Sequence, residues 1–257
     1  MVDSNKSTTA LRALKVLEIL AASKAPVPVA LVAQQIGADR STAYRMLLTL
    51  IDAGYVDRDM STRQYKLSYK VLSLTKYVLN DERVGELVTA ALRSISEQTC
   101  ETAHYCARDR FESVLLYRVH GTQRVAIDFK IGDRAPLHCT SIGKVLLCHE
   151  DEPFLDQVLT RGLPPFARRT IVEPEALRAE LRRVRRQGYA YDEFEFADDM
   201  RCVAVPVYGK RGALQGGISL SGPSSRYTQD RLVELRDCAL AQARELSAKL
   251  GFDGPPP

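Results

Sequence analysis

Residues 28–56 read PVALVAQQIGADRSTAYRMLLTLIDAGYV, and this stretch decides the N-terminal fold. Apolar residues recur at helical spacing on both sides of Gly37-Ala38-Asp39, a tight turn, and Gly54 stops the second repeat. The first repeat turns Val29, Val32, Ala33 and Ile36 inward, and the second turns in Ala43, Met46, Leu47, Leu50 and Ile51. Two helices joined by so short a turn are the outline of a helix-turn-helix. The start of the second helix then presents Arg40, Ser41, Thr42, Tyr44 and Arg45, a mixture of charge, hydroxyl and aromatic groups suited to phosphates and base edges.

Working outward, YVDRDMSTRQYKL (55–67) alternates like two short strands with a polar tip at residues 60–63. This is a wing, and Arg58 and Arg63 on it complete the expected DNA-contacting set. Upstream, Pro26-Val27-Pro28 breaks the chain after a helix near residues 11–22, with Ser7, Thr8 or Thr9 as its N-cap. Its wheel predicts Ala13, Leu14, Val16, Leu17 and Leu20 inward. Leu11 and Ile19 are left beside Lys15 on the polar side, where they could meet a second copy.

The charge distribution agrees with a nucleic-acid surface at this end. Residues 1–80 hold 11 Lys and Arg against 6 Asp and Glu, a balance of +5, whereas the remaining 177 residues balance at −1. A chain of 257 residues predicts two domains. With 45% hydrophobic and 26% charged residues, the composition excludes disordered, collagenous and disulfide-scaffold classes. The start, MVDSNKSTTA, lacks the apolar core of a signal peptide, and no apolar run is long enough to span a bilayer, so a cytoplasmic protein without a membrane partner is expected. The six cysteines show no C-x-x-C spacing and the four histidines no ligand spacing, so neither a metal nor any other cofactor is expected.

Residues 69–98 carry two helical stretches, read as a linker helix (69–82) entering a second domain (83–252). ETAHYCARD, SVLLYRVH and QRVAIDF then read as strands, SIGKVLLC and EPEALRAELRRVRRQ as helices, and YAYDE, CVAVPVY and ALQGGISLS as strands again. A last helix runs from Thr228 to Leu250. Such grouping describes an α+β domain. The basic run Arg182-Arg183-Val184-Arg185-Arg186 sits on a helix that also has an apolar stripe, and is read as a solvated face.

The words ALRALKVLEIL, STAYRMLLTLIDAGYV and YKLS in the first 68 residues, and GDRAPLHCTSIGKVLL, GYAYDEFE, MRCVAVPVYGKRG and GGISLSGPSSRYT in the rest, come in an order that resembles the isocitrate lyase regulator (IclR) family of bacterial transcription factors. Ser68, where the family usually has glycine, and FEFADDM (194–200), where it favours a second acid and a glycine, depart from that pattern. The resemblance implies an N-terminal winged helix-turn-helix (1–68) and a GAF-like C-terminal domain that binds a small organic acid. It also implies a homodimer or dimer of dimers on a double-stranded, pseudo-palindromic DNA operator. It places the effector pocket at Ser141, Ile142, Asp192, Cys202, Ser219 and Ser221.

Read as chemistry, free N–H groups of Ser141, Ile142 and Gly143 at a helix start suit a carboxylate. Ser219 and Ser221 share a strand face, Asp192 accepts from a ligand hydroxyl, and Ile142, Val203 and Leu220 are plausible walls. An aromatic hydroxy acid is the favoured effector and an aliphatic oxo acid the alternative. No catalytic residue is expected. The rival readings are a GAF-type enzyme using Cys139 or Cys202, which leaves the basic domain unexplained, and an architectural DNA-binding protein, which leaves the second domain idle.

Overall fold

The computed structural model describes residues 7–75 and 82–254, and the chain divides into two compact units, residues 1–79 and 80–257. In the first unit α1 spans Thr8–Ala22, α2 Val29–Gln35 and α3 Arg40–Asp52, followed by β1 (Val56–Arg58) and β2 (Tyr65–Leu67). Ser7 caps α1 by accepting from the Ala10 N–H, and Asp39 caps α3. Gly37 supplies the left-handed turn between α2 and α3 with φ 62°. The core joins Val16, Ile19 and Leu20 to Val32, Ala33, Ile36, Ala43, Leu47, Leu50, Val56 and Tyr65.

Three expectations change here. Ile19 is buried, and it is Leu14 that joins Leu11 outside. Leu14 lies two residues, about 200° of helical turn, from Val16, so both cannot face one core. Ile19 is therefore no surface contact. Met46 and Ile51 are only partly buried at the margin of the core. The Pro26–Pro28 break also carries structure, because the Val27 backbone pairs with Tyr65 in both directions (2.7 and 2.9 Å) and adds a bridge beside the wing. Ser68 has a role of its own: its hydroxyl donates to the Gly54 carbonyl and accepts from the Lys70 N–H, tying the end of the wing to the end of α3. Tyr69–Val71 is a 3-10 turn leading into α4 (Leu72–Thr75); residues 76–81 of the expected linker lie outside the described residues.

The second unit opens with α5 (Glu82–Thr99), then β3 (Ala103–Asp109), β4 (Glu112–Val119), β5 (Arg134–Pro136), α6 (Ser141–Leu147) and α7 (Glu152–Thr160). It continues with α8 (Pro174–Gln187), β6 (Ala190–Glu193), β7 (Met200–Tyr208), β8 (Leu214–Pro223) and α9 (Gln229–Lys249). The strands form one antiparallel sheet in the order β5-β4-β3-β8-β7-β6. β7 is buried along its whole length. Val203, Val205 and Val207 face the core made with α5 and α9, whereas Ala204, on the other face, meets the core made with α6 and α8. Residues 123–129, expected as a strand, form none; the chain runs irregularly until β5, which pairs with β4. Helix α7, with Asp151 as its cap, was not legible as a separate element.

Candidate functional site

In the first unit the exposed face of α3 is organised by its cap. The Asp39 carboxylate accepts from the Thr42 N–H (2.9 Å), the Ser41 hydroxyl (2.6 Å) and the Thr42 hydroxyl (2.8 Å). These bonds, the Ser41 hydroxyl first, hold its carboxyl well below the usual range. Ser41 and Thr42 therefore spend their protons on the cap. Arg40, Tyr44 and Arg45 stay exposed, with Arg45 reaching back to the Thr42 hydroxyl (3.5 Å). On the wing, Asp59 accepts from the Ser61 N–H (2.8 Å), the Ser61 hydroxyl (2.6 Å) and the Thr62 N–H (2.9 Å); these bonds lower it to about 2. That turn lifts Arg63 to an exposed tip in a left-handed conformation, φ 57°. Arg58 is half-buried, its guanidinium 5.7 Å from the Tyr65 ring centre.

In the second unit Ser141, Ile142, Asp192, Cys202, Ser219 and Ser221 all line one cavity. About 60 Å³ of it is open to the centres of water-sized spheres, room for a compact molecule where a single water needs about 10–15 Å³. Strand alternation explains the grouping. Cys202 stands opposite Asp192 on one side and Ser221 on the other, so residues far apart in sequence share a face. The same alternation corrects two walls: Val203 and Leu220 point through the sheet into the α5/α9 core. The helix start is also less open than expected, because the Thr140 hydroxyl accepts from the Gly143 N–H (3.0 Å) and leaves only Ser141 and Ile142 as free amides there.

Sequence reasoning missed His104, Phe129, Phe196 and Arg134 in the lining. His104 stands directly across the ladder from Ser219. Phe129 meets the His104 ring edge-on with centres 5.8 Å apart, and Phe196 lies 6.5 Å beyond it. The one-residue alternation in AHYCARD could have flagged His104; nothing local marks Phe129 and Phe196, which arrive from irregular segments.

Several polar groups of the site are buried. Asp192 is fully buried; its Oδ1 accepts from the Glu195 N–H (2.8 Å) and its Oδ2 has no partner among the described residues. Burial raises its carboxyl to about 7. Behind it the Lys144 ammonium, 1% exposed, donates to Glu180 (3.0 Å) and Glu195 (2.6 Å). Arg134 is paired with Asp109 and Glu112. Cys202 and Cys139 are held protonated by burial, Cys139 pushed up to about 12, which removes the thiolate an enzyme reading needs. Among the described residues no three His, Cys, Asp or Glu side chains come together as a metal site, and no helix is long and apolar enough to cross a membrane.

Comparison with known proteins matches the IclR helix-turn-helix domain over residues 9–60 and the bacterial transcriptional regulator IclR C-terminal domain over residues 76–248. The HTH-type transcriptional regulator KdgR of Escherichia coli K12 is 33% identical over 243 residues, 93% of this chain and 92% of that protein. The Thermotoga maritima IclR crystal structure is 29% identical, covers 95% of this chain and 99% of its own, and superposes with a TM-score of 0.78. An IclR homologue from Microbacterium hydrocarbonoxydans, complexed with 4-hydroxybenzoate, shares the fold at 21% identity and a TM-score of 0.79, over 93% and 99% of the two chains. A helix-turn-helix unit with a capped, cationic recognition helix, a separate α+β unit holding a cavity, and family matches to both halves lead to one conclusion: this chain belongs to the IclR family of transcriptional regulators.

Proposed function

We propose that this regulator, in the cytoplasm, binds a pseudo-palindromic operator as a homodimer or dimer of dimers, through a DNA domain of residues 1–68. A linker (69–82) joins it to an effector domain of residues 83–252 that senses a small aromatic hydroxy acid. Two-fold association follows from the few base pairs one recognition helix can read. Arg45, exposed at the start of α3, reads a base edge, while Arg40, Tyr44, Arg58 and Arg63 hold the backbone, with Ser41 and Thr42 beside them. Arg45→Ala should cost about 1–3 kcal/mol in operator binding and leave nonspecific binding nearly intact, whereas Arg63→Ala should weaken every sequence alike and flatten the salt dependence. Operator titrations at two salt concentrations check this, and equal effects of both variants would reverse the assignment.

The observation carrying the effector reading is the Asp192 Oδ2, without a hydrogen-bond partner among the described residues and buried in the wall of a cavity also lined by Ser219, Ser221 and two phenylalanine rings. A buried acceptor without a partner calls for a ligand hydroxyl. Ser219, Ser221 and the free amides of Ser141 and Ile142 supply donors for a carboxylate, with Ile142 and Cys202 packing on a ring between the two ends. Thermal shift with a panel of acids tests the reading: 4-hydroxybenzoate should stabilise the protein more than benzoate, and Asp192→Asn should remove most of the difference. Stabilisation by pyruvate-like oxo acids alone would favour the aliphatic alternative.

A further inference from the structure

We propose that His104 is the counter-ion of the effector's carboxylate, taking one proton from solvent onto its imidazole as the acid binds. The inference rests on the effector reading above and adds a residue and a proton to it.

Desolvating a carboxylate costs several kcal/mol unless a cation or several donors replace the water. The cations around this cavity are already committed. Lys144 is shared by Glu180 and Glu195, Arg134 is paired with Asp109 and Glu112, and Arg118, across the β3–β4 ladder from His104, is bound to Asp128 and the Phe129 carbonyl. His104 is different. It is 2% exposed, it lines the cavity, and neither ring nitrogen has a hydrogen-bond partner of good geometry among the described residues. A buried polar side chain with no well-formed hydrogen bond on either nitrogen is either a cost without return or a place kept for a ligand.

Its position suits the carboxylate end. His104 on β3 is opposite Ser219 on β8, while Asp192 on β6 is opposite Cys202 on β7. In the order β3-β8-β7-β6, three strand spacings, about 14 Å between backbones, separate the two unsatisfied groups. Both side chains line the same cavity, so a ring carrying a polar group at each end can meet both. Asp192 accepts from the hydroxyl, and Ser219 hands the carboxylate to His104.

The surrounding protein keeps His104 neutral. Burial first, then the charges of Arg118 and His120, lower it to about 4, with only the Ser219 backbone opposing. Of the other groups around the site, Asp192 is itself raised, Cys106 and Cys202 are held protonated by burial, and Asp133 accepts from the Lys130 N–H. None of these supplies a positive charge. A carboxylate placed beside the ring changes the balance and draws in the proton, so the complex holds one proton more than the free protein.

The test is calorimetry of the full chain with 4-hydroxybenzoate at one pH in phosphate and in Tris, which reads proton uptake from the difference in heat. The wild type should take up about one proton, and Kd should rise by up to about tenfold per pH unit between pH 5.5 and 7.5. His104→Asn should abolish the uptake and the pH dependence, binding roughly 30-fold weaker at pH 6 and little changed at pH 8. Asp192→Asn should keep the uptake. Uptake that survives in His104→Asn and vanishes in Asp192→Asn would overturn the proposal by assigning the proton to Asp192. Binding without uptake in the wild type would overturn it too, leaving the effector reading intact. Failure of every acid in the panel to bind would remove the effector reading and this inference together. Should His104→Asn not fold, the histidine carbon resonances of labelled wild-type protein serve: an imidazolium shift of His104 on adding 4-hydroxybenzoate supports the proposal, and an unmoved neutral ring overturns it.

Discussion

Lys144→Met should destabilise the effector domain by about 3–5 kcal/mol at pH 7, the usual cost of breaking a buried ion pair from one side. The ammonium is almost wholly enclosed and donates to two carboxylates that are themselves mostly buried, Glu180 from α8 and Glu195 from the segment after β6. Glu180 keeps a second partner, since Arg183 donates to it with two nitrogens at 2.8 Å each. Glu195 has none among the described residues: its Oε2 already lacks a hydrogen bond there, and burial already raises its carboxyl. Methionine fills the space of the lysine stem without its charge, so the loss reports the uncompensated carboxylates rather than a void. Adding Glu195→Gln to the lysine variant should then return a large part of the loss. Urea unfolding of the two single variants and the double variant reads this as a coupling energy. A loss below about 1 kcal/mol for Lys144→Met would mean that water reaches the cluster and that the enclosure described above is wrong.

The wild type should also lose stability as the pH rises from about 4 to 7, by up to about 4 kcal/mol relative to Asp192→Asn. Burial raises the Asp192 carboxyl from its ordinary 3.8 to about 7. Below about 4 the group is protonated in both folded and unfolded chains and makes no difference. Between 4 and 7 the folded chain holds a proton that the unfolded chain has released, so each pH unit favours unfolding, and above 7 both are ionised and the difference stops growing. The other carboxylates titrate in both proteins and cancel in the comparison. Unfolding curves for the two proteins at pH 4.5, 6 and 8 measure it. Parallel profiles would show an ordinary carboxyl at Asp192.

Much of this molecule was legible in one dimension because its signals are local. Helical spacing around Gly37-Ala38-Asp39 marked two helices and their turn, and the structure makes Asp39 of that turn the cap of α3. Strand alternation put Ser219 and Ser221 on one face. Misreadings arose where a wheel had to be given an absolute orientation, as with Leu14 and Ile19, or where an apolar alternation met no neighbouring strand, as in residues 123–129. A helix shows its apolar residues to the reader, but which side meets the core depends on what packs there.

By itself, then, the amino-acid sequence determined the two-domain plan, the helix-turn-helix with its cationic face and the α+β class of the second domain, and its family resemblance named the six residues now found around one cavity. These follow from periodicity, capping and short words, all of which act over a few residues. Only the tertiary structure decided what those six residues face. Crossing the sheet from β3 to β6 sets the His104 ring and the Asp192 Oδ2 at the cavity without a hydrogen-bond partner of good geometry among the described residues, and turns Val203 and Leu220 away from it. It also spends the Gly143 amide on Thr140 and encloses Lys144 between carboxylates 36 and 51 residues further along the chain. Burial, and the charge and hydrogen bonding it governs, depends on residues distant in sequence meeting in space, and no local pattern records that.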